Sequence, residues 1–164
     1  DPREVVISYS NHSNQSIDKC IEIITSISPL CMIDEGVNYP VYIYNWGTNY
    51  LSWKNFNSVP SLIIKYEDLI SNTYKNFSKI IFFLHEIGLP KIDKIKLKRS
   101  IDNTSFGNLK KLEKKYGFNE QKIAIDKRFF NKGTTNSWKI ILSSKQVRII
   151  EDRFQKEMKE LSYL

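Results

Sequence analysis

The segment Pro60-Ser-Leu-Ile-Ile-Lys-Tyr-Glu-Asp-Leu69 constrains the fold most. It is a short β-branched run, closed by proline on one side and acidic residues on the other, and it predicts a strand. Its apolar residues are continuous rather than alternating, as in a parallel strand buried on both faces. The next stretch places Phe77, Ile80, Ile81, Leu84 and Ile87 on one helical face, and Gly88 stops it before Leu89-Pro90. A strand followed by an amphipathic helix is half of a βαβ unit, and such sheets bind ligands at the carboxyl ends of their strands. Tyr66, Glu67 and Asp68 stand at that end.

The rest of the chain reads mainly as helix. Asp1 is an N-cap residue, Pro2 suits the first helical position, and Glu4 sits three residues after the cap. The N–H groups and dipole of such an end favour an anion nearby, although an ordinary surface helix reads the same way. Ser8 and His12 lie one turn apart on it. Ile17, Ile21 and Ile24 predict a second helix ending before Pro29, and a loop follows over 32–38. A third helix is predicted over Pro40 to Asn55, with Trp46 and Trp53 a heptad apart. The aromatic density there serves core packing or, alternatively, an acceptor pocket. Asn103-Thr-Ser-Phe-Gly107 is a turn-like break. Ser143-Ser-Lys-Gln146 is a capping box opening a last helix, with Val147, Ile150, Phe154, Met158 and Leu161 on its buried face.

A chain of 164 residues fits one domain or the larger part of one, and 41% hydrophobic with 13% aromatic content excludes disorder. No apolar run approaches a membrane span, no signal-peptide pattern is present, and the opening on Asp1 implies residues upstream. Cys20 and Cys31 lack the spacing and histidine neighbours of a zinc site, so they read as free buried thiols suited to a reducing cytoplasm. A net charge of +7 favours an anionic ligand. The basic runs at 91–99 and 110–115 read as solvated helix faces, and no nucleic-acid motif accompanies them.

One further stretch, Arg128-Phe-Phe-Asn-Lys-Gly-Thr-Thr-Asn-Ser-Trp-Lys139, has neither helical nor strand periodicity. Phe129 and Phe130 offer a stacking surface. Asn131, Lys132 and Gly133 add an amide, a charge and a backbone that can approach a ligand closely. Alone it fits either an adenine nucleotide site or two core phenylalanines beside a polar loop.

Taken in order, four stretches resemble sulfotransferases that use 3′-phosphoadenylyl sulfate (PAPS). The opening residues are similar to the family's Arg-x-Pro-Arg-Asp-Val-x-x-Ser, with Glu4 in place of Asp and Ser8 at the serine that binds the donor's 3′-phosphate. Tyr66-Glu-Asp-Leu matches Tyr-Glu-Asp-Leu/Met, whose tyrosine lies near the adenine. Thr104-Ser-Phe106 matches the Thr-Ser-Phe turn that touches the adenine ring. Phe129 to Lys139 resembles Phe-x-Arg-Lys-Gly-x-x-Gly-Asp-Trp-Lys, the loop that completes the 3′-phosphate site. Asn131 stands at the loop arginine, and Asn136-Ser137 at its Gly-Asp. The motif's first arginine would precede Asp1, and Arg148 stands where the family's dimerisation pattern has an acidic residue.

The resemblance implies a P-loop-like three-layer α/β/α fold with a parallel sheet, mostly helical here because residues 1–164 are the C-terminal portion of a single sulfotransferase domain. The N-terminal part of that domain would complete the fold. It would also carry the phosphate-cradling Lys loop and the catalytic histidine, so no catalytic residue is expected in this chain. The complete enzyme would transfer a sulfuryl group from PAPS to a hydroxyl or amine of a small-molecule or glycan acceptor, without a metal. It would leave 3′-phosphoadenosine 5′-phosphate (PAP). The implied donor-site residues are Ser8, Tyr66, Thr104, Phe106, Phe129, Phe130, Asn131, Lys132 and Gly133. A non-catalytic nucleotide-binding or interaction protein derived from the same fold is the alternative, and Asn131 is its best support.

Overall fold

The computed structural model describes residues 1–32, 41–117, 128–130 and 133–164. Its elements in chain order are α1 (Pro2–Ser13), α2 (Ile17–Thr25), β1 (Leu30–Met32), β2 (Val41–Ile43), α3 (Trp46–Lys54), α4 (Tyr66–Ser71), α5 (Thr73–Glu86), α6 (Lys94–Asn103), α7 (Phe106–Tyr116), α8 (Trp138–Ile141), α9 (Ser144–Arg153) and α10 (Gln155–Glu160). They group into two units, one of residues 1–57 with 136–164, the other of residues 58–135.

In the first unit, local chemistry sets the helix ends. The Asp1 carboxylate accepts from the Arg3 N–H and Ser16 from Lys19, while Ser143 and Gln146 close the expected capping box reciprocally. Glu4 does not complete a box at Asp1, because its carboxylate is engaged by Ser137 and Trp138. The anion-favouring end of α1 is thus served by the chain's own Asp1. The buried core joins Val6 of α1, Cys20, Ile21 and Ile24 of α2, Leu142, Ile150 of α9, and Phe154 and Met158. Burial pushes the Cys20 thiol up from its ordinary value, which keeps it protonated, as a buried free thiol should be. The side chain of Cys31 lies outside the described residues.

Phe154 is 1% exposed, and it stands where α9 gives way to α10, with φ −117° and ψ 22°. Its ring meets Trp46 edge-on at 5.3 Å. Gly47 lets α3 come this close, since a Cβ there would lie 3.1 Å from Cδ1 of Phe154. Asn45 caps α3 through the Thr48 N–H and donates its amide to the Ser26 carbonyl, 3.1 Å away.

Two expectations need correction. Residues 41–43 are not helical: β2 pairs antiparallel with β1 in the register Leu30–Ile43, Cys31–Tyr42 and Met32–Val41, and the helix begins only at Trp46. Residues 60–65 form no strand, and Tyr66-Glu-Asp-Leu opens helix α4. A β-branched run becomes a strand only when a neighbour pairs with its backbone. Among the described residues β1 and β2 pair only with each other, Leu62 and Ile63 are exposed, and there is no parallel sheet.

In the second unit the helix boundaries follow the sequence. Asn72 caps α5 through the Lys75 N–H, and buried Asn76 donates to the Asp68 and Asn72 carbonyls at 2.7 and 3.0 Å, fixing α4 against α5. Gly88 takes φ 105° just after α5. Thr104 ends α6 and Ser105 starts α7, which is the anticipated break.

Phe154→Ala should cost about 3–5 kcal/mol of unfolding free energy in denaturant melts. Phe82→Ala, at a ring 65% exposed, should stay within about 0.5 kcal/mol. Equal losses would contradict this placement of the core.

Candidate donor site

One face of α7 organises the second unit's site. Phe106, Lys110 and Glu113 recur at i, i+4 and i+7, so they line up along the helix over about 10 Å. Phe106 meets Phe130 edge-on with centroids 6.2 Å apart, and Phe130 meets Phe129 likewise at 5.2 Å. Lys110 Nζ stands 5.0 Å from the Phe106 ring centroid, within cation–π range. Glu113, 6% exposed, accepts the Phe129 N–H at 2.5 Å and the Phe130 N–H at 3.3 Å, one on each carboxylate oxygen. A nearly buried carboxylate with both oxygens engaged by backbone donors is a strong local anchor, because its charge strengthens both bonds.

Gly133 explains the closeness of the loop to α7. Its φ is 63°, a left-handed value that non-glycine residues seldom adopt, and an added Cβ would lie 2.6 Å from Cε2 and Cζ of Phe106. Conformation and space both require glycine here. The result is an aromatic cluster of Phe106, Phe129 and Phe130, with a lysine over one ring and a glycine backbone against it. It offers π surface for a purine and positive charge for a phosphate. Phe129 remains 42% exposed.

The other anticipated residues fall as follows. Thr104 is exposed at the end of α6, its hydroxyl donating to the Ser100 carbonyl at 2.8 Å. Tyr66 begins α4 with its side chain about half exposed. Ser8 belongs to the first unit, exposed on the second turn of α1. Asn131 and Lys132 lie outside the described residues. Phe106, Phe129, Phe130 and Gly133 are therefore the part of the set seen in mutual contact.

Sequence reasoning missed three residues here. Glu113 gave no signal, since a glutamate among lysines on a helix reads as solvated. Arg3 lies within the opening motif, yet it is 5% exposed and saturated with partners. It binds both Asp1 oxygens, Glu151 at 2.5 Å and the Tyr163 carbonyl at 3.1 Å, and its guanidinium lies 3.8 Å above the Trp138 ring. Glu4, read as a cap partner, accepts from the Ser137 hydroxyl at 2.6 Å and the Trp138 N–H at 3.0 Å. Asn136 adopts φ 65°, which asparagine tolerates better than other non-glycine residues.

Gly133→Ala should displace the loop, costing roughly 1–3 kcal/mol of stability by combining left-handed strain with the Phe106 clash. Asn136→Gly, which leaves a left-handed backbone open to residue 136, should cost less than Gly133→Ala. Thermal melts of the two variants check this, and an innocuous Gly133→Ala would refute the loop geometry.

Among the described residues no helix is long and apolar enough to cross a membrane. A search of curated proteins finds no match. Residues 1–162 match the family model of the sulfotransferase domain, which takes in every element above. This chain belongs to the sulfotransferase domain family.

Proposed function

We propose that this chain supplies the 3′-phosphate and adenine part of the donor site of a PAPS-dependent sulfotransferase, whose acceptor is a hydroxyl or amine on a small molecule or glycan. The observation carrying this reading is the cluster that Phe129, Phe130 and Gly133 form with Phe106 of α7. It fits an adenosine phosphate in kind: aromatic faces for the base, Lys110 beside them, and a glycine backbone free of side-chain bulk. When bound, PAPS supplies the activated sulfuryl group.

Each residue has a proposed part. Phe129 or Phe130, with Phe106, Thr104 and Tyr66, contacts the base or its surroundings. Lys132 supplies charge to the 3′-phosphate, Gly133 lets backbone N–H approach it, and Asn131 offers an amide in place of the family's guanidinium. For Ser8 the part is a hydroxyl offered to the phosphate from α1. The base that takes the acceptor proton and the lysine that steadies the leaving oxygen belong, on this reading, to the N-terminal part of the same domain. That part would also bring strands alongside residues 60–65 and complete a three-layer α/β/α fold with a parallel sheet. A cytoplasmic site of action accords with the free thiol of Cys20.

In the complete protein, Lys132→Ala should weaken PAP binding by roughly 1.5–3 kcal/mol, one charged hydrogen bond. Titration calorimetry reads this directly, and an unchanged affinity would remove Lys132 from the site. Asn131 favours a second reading, a non-catalytic nucleotide binder, because an amide replaces the charged bidentate phosphate contact. PAP binding without sulfuryl transfer from PAPS to any of a panel of hydroxyl and amine acceptors would select it.

A further inference from the structure

We propose that Glu113 is a positioning residue for the donor loop, its carboxylate setting the backbone of Phe129 and Phe130 and so the placement of their rings beside Phe106. The inference rests on the donor-site reading and extends it to a side chain that touches no nucleotide.

Glu113 is nearly buried, and its two oxygens take the two consecutive N–H groups that begin the loop, at 2.5 and 3.3 Å. Consecutive amides held by one carboxylate leave the intervening peptide little freedom to turn. The far end of the loop is held from the same helix face, where Gly133 rests on the Phe106 ring two turns earlier. One helix face thus holds Phe129 and Phe130 by their amides and Gly133 by its contact with a ring. Preorganisation matters here because aromatic rings already held in place can take a base without a further ordering cost.

The chemistry also ranks substitutions. Glutamine keeps the volume but has one acceptor oxygen, and its amide nitrogen would turn an N–H toward a backbone N–H. Glu113→Gln should therefore keep one bond and lose the other, while Glu113→Ala loses both.

The test measures PAP binding to the complete sulfotransferase domain, N-terminal part included, by calorimetry, well below the melting temperature, with amide hydrogen exchange at Phe129 and Phe130. Glu113→Ala should weaken PAP binding about tenfold or more, with Glu113→Gln in between. Both amides should exchange faster in Glu113→Ala, whereas those in the middle of α5 should keep their protection. A purely structural role would lower the melting temperature and leave the affinity of the folded protein unchanged. That result, with the wild type binding PAP, overturns this inference alone. A wild type that binds no PAP overturns the donor-site reading and this inference with it. Should Glu113→Ala not fold, Glu113→Gln decides: wild-type affinity and unchanged exchange at both amides count against the proposal.

Discussion

The first unit depends on where it puts the charge of Arg3. A guanidinium this buried must be neutralised and its N–H groups satisfied, and leaving it unpaired would cost roughly 3–5 kcal/mol. The solution recruits distant parts of the chain: Asp1 beside it, Glu151 on α9, the Tyr163 carbonyl near the C-terminus, and the Trp138 ring on α8. The same Asp1 carboxylate caps α1, so one anion serves both the helix end and the arginine. Start and end of the described chain are thereby fixed together, and Val6, Ile150, Phe154 and Met158 close the apolar core beneath.

The stretches at 129–130 and 137–138 are held by the same kind of interaction. Glu113 in the second unit takes the Phe129 and Phe130 amides, and Glu4 in the first takes the Ser137 hydroxyl and the Trp138 amide. Each is a carboxylate spending both oxygens on a short stretch, with bonds of roughly 1.5–3 kcal/mol apiece before the ordering of the loop is counted. Backbone without helix or strand must find hydrogen bonds somewhere. Here side chains provide them, so a loop can be specified without regular structure.

This explains what the sequence made legible. Caps and periodicity are local, so α2, α5 and the capping box at Ser143 could be read directly, as could the break at Thr104-Ser-Phe106. Residues 60–65 look like a strand because β-branched residues suit one, but pairing is supplied by other segments and cannot be read from the run itself. Residues 41–43 are the converse: their aromatic neighbours suggested one continuous helix, and partners nine to thirteen residues earlier made them a strand. Glu113 was invisible for the same reason. Its burial is decided by amides sixteen and seventeen residues further on.

The loop's departures from the family pattern separate on physical grounds. Asn136, at the family's glycine, keeps the left-handed backbone that glycine would provide, with φ 65°. Ser137, at the family's aspartate, donates its hydroxyl to Glu4 at 2.6 Å. Serine supplies there a hydroxyl donor that a carboxylate lacks, and Glu4 accepts it. Both changes preserve shape, and each has a visible reason. Asn131 differs in kind, because it exchanges a fixed positive charge for a neutral amide, and no backbone geometry restores charge. On the proposed reading, then, the changes at 136 and 137 are accommodated locally, whereas the change at 131 reduces phosphate attraction and leaves more of it to Lys132.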